Sequence, residues 1–281
     1  MPRQPIARTF PALAFALLSA ACTSAAPPAT SVATAANPQP STSAAAPKPL
    51  AVAFLIVDGV YNTELMAPYD VFHHTVFHAP PGMALFTVSP DGEPIQTFEG
   101  LTITPNHSFA DAPPIDVLVV PSAEGSMGKD LENRALIDWV RTIGRRARFV
   151  LSLCDGAFVL AEAGLLDGLP VTTFPGDYQA FAERFPQLDL RVNVNFVQAG
   201  KVITSQGGVR SYAAAMHLVE QLYGLKAAQG VGRGLLIPWP PGAESEPPWI
   251  VENVPLARND PAEREPRKNG SSASSAPRRS S

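Results

Sequence analysis

Cysteine is nearly absent from this chain: 281 residues hold two, Cys22 and Cys154. A small scaffold stapled by disulfides is therefore excluded, and a thiol that stands alone has to be buried or useful. Charge is sparse too, with Asp, Glu, Lys and Arg at 16% and a formal net charge of -4. That balance supplies no basic surface, so no nucleic-acid partner is expected. The five histidines and the acidic residues form no group with metal-ligand spacing, which argues against a zinc or other metal site. No GxxxxGK(S/T) phosphate loop occurs, and Gly230-Val-Gly-Arg-Gly234 follows a helix-like stretch rather than a strand. No cofactor is expected on these grounds.

What is present divides the chain into four parts. Residues 1–21 carry Arg3 and Arg8 and then an apolar stretch from Phe10 to Ala21, too short to span a bilayer comfortably and ending in small residues. This reads as a signal peptide. Cys22 follows two alanines, like the cysteine that becomes a lipidated N-terminus, although Ser19 stands where a leucine is usual. Lipidation at Cys22 and simple secretion both stay open; either makes the protein exported, periplasmic or a membrane-anchored lipoprotein, with the membrane as partner only through the anchor. Residues 22–48 are an Ala/Pro/Ser/Thr-rich tether that cannot bury enough surface to fold. Residues 49–237 form one domain with ample length for a core. Residues 238–281 read as a disordered tail, with Trp239, Trp249 and Ile250 able to lie against the domain.

Within the domain, apolar runs of strand length at Ala51–Val57, Ala84–Val88, Asp116–Val120 and Phe149–Leu153 alternate with amphipathic stretches at about 63–76, 130–145, 156–162 and 209–223. Residues 95–103 and 192–204 read as small hairpins, turning at Glu99-Gly100 and Ala199-Gly200. Strands that are apolar throughout are covered on both faces, so the fold class is α/β, an open, mostly parallel sheet sandwiched by helices. Ligands of such sheets gather beyond the carboxyl ends of the strands, where Asp58-Gly59, Pro121–Gly125 and Cys154 would lie.

Cys154 ends its strand and is followed at once by a helix-like stretch, with small residues, Ser152 and Gly156, on either side. This suits a nucleophile elbow, a tight strand-to-helix turn that pushes the reactive atom out of the sheet and aims the first helical amides at the sulfur.

Four segments carry a family resemblance: FLIVDGVYNTELMAPYDVFHH, DVLVVPSAEG, LSLCDGAFVLAEAGLLDGLPVTT and VITSQGGVRSYAAAMHLVEQLYG. Over about Ala51 to Gly224 the chain resembles the DJ-1/PfpI superfamily, the class I glutamine amidotransferase-like fold, in the branch of isonitrile hydratases and the ligand domain of AraC-type regulators. The resemblance implies a flavodoxin-like sandwich, a homodimer, and a reactive elbow cysteine at Cys154. It places Glu64 on the acidic residue that contacts the sulfur in relatives, where a protonated carboxyl would lower the thiol pKa. It puts Gly125 and the amide after Cys154 in an oxyanion pocket, with Glu124 and Gly156 beside them. Two departures stand out. Relatives with a Thr-Thr-His segment have their histidine where this chain has Phe174, so a Cys–His couple is excluded at that place. Isonitrile hydratases carry Thr after the cysteine, where this chain has Asp155, whose charge opposes thiolate formation but suits a helix N-terminus. His217 with Glu220 is a weak substitute couple, and His73, His74, His78 and His107 read as surface or packing residues.

Two functional classes follow. The first is an exported enzyme, a hydratase, hydrolase or lyase acting on a small electrophile, with Cys154 as nucleophile and Glu64 or Asp155 relaying protons. The second is a module that binds a small molecule or records oxidation at Cys154 without catalysis.

Overall fold

Leu50–Leu55 opens the sheet as β1, and its last four residues are buried. The structure is a computed structural model and describes residues 48–241 and 250–252. The signal-peptide expectation, Cys22, most of the tether and Trp249 fall outside the described residues. After β1 come the helices α1 (Asn62–His73) and α2 (Thr75–His78), then the strands β2 (Met83–Ser89), β3 (Ile95–Gln96), β4 (Thr102–Ile103), β5 (His107–Ser108) and β6 (Val117–Val120). The middle of the domain is α3 (Lys129–Glu132), α4 (Arg134–Arg146), β7 (Phe149–Leu153), α5 (Gly156–Glu162) and β8 (Pro170–Val171). A one-turn 3-10 helix at Pro175–Asp177 leads into α6 (Tyr178–Arg184) and β9 (Asp189–Leu190). The chain continues through β10 (Phe196–Ala199), β11 (Val202–Ser205), α7 (Ser211–Tyr223), α8 (Leu225–Leu235) and β12 (Ile250–Glu252).

Among the described residues, eight strands make the main sheet in the order β12-β10-β11-β7-β6-β1-β2-β5. Every neighbouring pair is parallel except β10 with β11, the expected hairpin. The other expected hairpin is the antiparallel pair β3 and β4.

Successive residues of a strand point to opposite faces, so strands apolar throughout feed two cores at once. On one face Val52, Phe54, Val119 and Leu151 pack with Leu65 and Phe72 of α1 and Met216 and Val219 of α7. On the other, Leu118, Val120 and Val150 pack with Leu136, Ile137 and Val140 of α4, Phe158 of α5 and Phe181 of α6. Each of these large side chains contributes roughly 1.5–3 kcal/mol on burial. Charged and polar groups close the helix ends. Asn133 Oδ1 caps α4 by accepting from Leu136 N at 3.2 Å. Lys201 Nζ donates to the carbonyls of Gly144, Arg145 and Ala147 at 2.8, 2.8 and 3.0 Å, tying the β10–β11 hairpin to the far end of that helix.

Within the stretch read as a tail, Trp239 is buried with its indole N–H donating to Glu220 Oε2 at 2.6 Å. Val251 pairs with Gln198, so β12 extends the sheet beyond β10. The run Gly230–Gly234 lies inside α8, with Gly230 facing His78 of α2 closely enough that a Cβ would lie 2.7 Å from its ring. Its glycines serve helix packing.

Candidate active site

Because β1, β6, β7 and β11 run parallel, their carboxyl ends and following loops meet at one edge. The loops after β1 and β6 pair directly: Tyr61 N donates to Ser122 O at 3.0 Å and Glu124 N to Gly59 O at 2.9 Å. Cys154 stands at the centre of this edge with φ 55°, a left-handed backbone that costs a non-glycine residue about 1–2 kcal/mol. Two glycines make the turn possible. A Cβ at Gly156 would lie 2.1 Å from Val120 O, and one at Gly207, itself at φ 81°, would lie 2.4 Å from Cys154 Cβ. The small neighbours of the elbow are thus enforced by backbone approach.

Cys154 is buried, only 7% exposed. Its thiol donates to Asp155 Oδ2 at 3.6 Å. The Asp155 backbone amide and the Ser122 hydroxyl act on the thiol in the opposite sense to its neighbouring charges, lowering its pKa. Ser122 is wholly buried, and its hydroxyl has no hydrogen-bond partner among the described residues. Burial first, then the charges of Asp155 and Glu64, push the Cys154 thiol well above the usual cysteine range, against the smaller pull of these donors. The resting group is a neutral thiol.

Asp155 occupies the N-cap position of α5, yet its side chain makes no capping bond. Its carboxylate stands at the helix N-terminus, as expected, and turns toward the sulfur and toward Thr173, whose hydroxyl donates to Asp155 Oδ1 at 3.2 Å and to Cys154 O at 3.1 Å. Burial, then the negative charge of Asp177, raises the Asp155 carboxyl to about 7, above the ordinary aspartate range. A group poised near neutrality beside a thiol can take its proton.

Glu64 is buried on α1, and its Oε1 accepts from Gly208 N at 2.8 Å. Its charge contributes, after burial and Asp155, to the rise of the Cys154 thiol pKa. Burial first, then the charges of Cys154, Asp155, Glu124 and Glu64, raise the pKa of the Tyr61 phenol and keep it protonated. Tyr61 therefore marks where these groups converge, and its ring packs on Phe98 with centroids 4.6 Å apart.

Gly125 lies in the loop after β6. Its carbonyl accepts from Gly128 N and Asp130 N at 2.9 and 3.1 Å, and a Cβ there would lie 2.5 Å from Asp130 Oδ2. Gly125 closes a turn over the Asp130 carboxyl. Phe174 is 42% exposed, pointing out where relatives are expected to hold a histidine. His217 is buried against Phe196 and paired through Nε2 with Gln198 Oε1, while burial lowers its pKa to about 4. Glu220 binds Trp239, so the His217–Glu220 couple is occupied elsewhere. Sequence reasoning missed Ser122, Thr173, Asp177 and the Gly207-Gly208 turn. Thr173 and Ser122 lay in the segments that carry the resemblance, whereas Asp177 had no pattern around it.

Comparison with known proteins places this geometry. The chain is 32% identical over 181 residues to an isonitrile hydratase of Pseudomonas putida, covering 64% of this chain and 75% of that enzyme. It is 26% identical over 145 residues to the HTH-type transcriptional regulator GbdR of Pseudomonas aeruginosa, spanning 39% of that regulator's length. Among solved structures, an AraC family transcriptional regulator from Pseudomonas putida superposes with a TM-score of 0.59 at 23% identity, over 66% of this chain and all of that one. DJ-1beta of Drosophila melanogaster gives 0.58 at 23% identity, over 68% of this chain and all of that one. Residues 51–221, which hold the whole elbow and the loops that meet around it, match the DJ-1/PfpI family. The flavodoxin-like sandwich with its strand-to-helix cysteine is thus that of a family member, and this chain belongs to the DJ-1/PfpI family.

Proposed function

We propose that this protein is a cysteine-dependent hydratase that adds water to a small electrophile, with isonitriles as the first substrates to try. The observation that carries the reading is the contact of Cys154 Sγ with Asp155 Oδ2 at 3.6 Å, a thiol directly against a carboxyl held near neutrality. Similarity to an isonitrile hydratase supports the choice of substrate. The Asp155 carboxylate takes the thiol proton as sulfur adds to the terminal carbon of the isonitrile, and that proton ends on the same carbon, giving a thioimidate. Water then adds to this carbon, the C–S bond breaks, and the products are an N-substituted formamide and the free thiol. The Asp155 amide and Ser122 hydroxyl stabilise the sulfur as charge develops on it.

Purified protein is expected to convert a panel of small isonitriles, methylglyoxal and amides selectively, with isonitriles fastest and Cys154→Ser reduced by at least about a hundredfold. Unchanged turnover in that variant removes Cys154 from the mechanism. A second reading, a binding module, is favoured by the neutral resting thiol. It predicts saturable ligand binding retained in Cys154→Ser with no turnover in either protein.

A further inference from the structure

We propose that the cleft between α2 and α8 is a second binding site, which takes a small organic anion: a carboxylate or phosphate head against Lys226 and Arg233, and an apolar body against Phe77. The cleft has a volume of about 400 Å³, and Phe77, His78, Tyr223, Lys226, Gly230 and Arg233 line it. Its place in the fold sets it apart from the thiol. Glu64 lies in the first turn of α1, whereas α2 follows the other end of that helix. The Tyr223 hydroxyl donates to Gly82 O at 2.9 Å, just before β2 begins, so the cleft lies toward the amino ends of the parallel strands β1 and β2. The Cys154 edge is at the carboxyl ends. The hydration chemistry of Cys154 makes no use of this cleft.

Charge decides what the cleft holds. Lys226, Gly230 and Arg233 are spaced i, i+4 and i+7 on α8 and so share one face of the helix. Lys226 and Arg233 are exposed, and neither side chain has an ion pair or hydrogen bond among the described residues. Neither α2 nor α8 contains an acidic residue. The acids of the flanking helices are engaged elsewhere, Glu220 with Trp239 and Asp70 with His74. In a chain of net charge -4 this is a local excess of positive charge without an internal partner. Gly230 lets α2 come close, since a Cβ there would lie 2.7 Å from His78 Nδ1. Phe77 lines the same cleft with 67% of its surface exposed. A carboxylate or phosphate accepts charge-assisted hydrogen bonds from the ammonium and guanidinium, while an apolar body covers the ring. Both are interactions that the fold leaves unmade.

The test is isothermal titration calorimetry of the full chain with phenyl phosphate, benzoate, inorganic phosphate and benzyl alcohol, at low salt and at about 0.3 M NaCl. Phenyl phosphate and benzoate are expected to saturate a single site with a Kd of about 1 mM or tighter, and salt to weaken both. Lys226→Gln is the deciding variant, because Arg233 also lines a hollow of about 540 Å³ beside Trp239 and Lys226 does not. It is expected to weaken both anions at least about tenfold, with Lys226→Arg keeping most of the affinity. Arg146→Gln, which removes an exposed cation at the end of α4, is expected to change nothing. Phe77→Ala weakens phenyl phosphate and leaves inorganic phosphate as it was. Thermal midpoints on the same samples show that each variant is folded. No saturable binding of either organic anion, or equal affinity in folded Lys226→Gln, overturns the site. Benzyl alcohol bound as tightly as phenyl phosphate overturns the choice of an anion, and unchanged affinity in Phe77→Ala overturns the apolar body.

Discussion

Asp155 is where function and stability pull apart. In an unfolded chain its carboxyl ionises near 3.9, but in the fold it does so near 7. A folded-state pKa above the unfolded one means that the native protein binds the proton more tightly. The ionised group therefore destabilises the fold above pH 7, and that cost disappears as pH falls toward 4. Asp155→Asn removes the charge and keeps a hydrogen-bond acceptor for Thr173. At pH 8 the variant is expected to resist urea better than wild type by about 2–4 kcal/mol, with the difference shrinking below about 1 kcal/mol near pH 4.5. A variant less stable than wild type at pH 8 contradicts the account of this group. Its catalytic activity is expected to fall in the same preparation, the pattern of a site that trades stability for chemistry.

At the scale of elements, the elbow is the feature the amino-acid pattern made most legible. A fully apolar strand ending on a thiol, with Ser152 and Gly156 beside it, is what a tight strand-to-helix turn demands, and the structure gives Cys154 the left-handed backbone such a turn needs. The opposing wall was not legible, because Gly207 follows β11, more than fifty residues away, and nothing local marks its contact with Cys154. That contact is testable. Gly207→Ala meets both a positive φ and Cys154 Cβ at 2.4 Å. It is expected to cost about 2–4 kcal/mol in urea unfolding and to alter the alkylation rate at Cys154. A stability change under about 0.5 kcal/mol would show that the turn is looser than described. Asp177 escaped notice for a related reason: a short 3-10 turn has no hydrophobic period.

Over the whole molecule, the strands covered on both faces were readable from continuous apolar runs, and those runs mark β1, β6 and β7 as the centre of the sheet. The short strands β5, β8, β9 and β12 carry two or three residues each, too few for any alternation to be seen. The helix α8 was hidden by its glycines, which are poor helix formers kept for close packing on α2 and Trp239. What the architecture does for chemistry is bring the ends of parallel strands, far apart in the chain, to a single thiol. The most direct test is to mix the protein with a small isonitrile at pH 8, quench in acid within the time of one expected turnover, and weigh the peptide that holds Cys154. Wild type is expected to carry an added mass equal to the whole isonitrile on Cys154, with the adduct forming at least about tenfold more slowly in Asp155→Asn. Formamide production without any adduct, or with one that forms equally fast when Asp155 is gone, contradicts the claim that these two side chains act together.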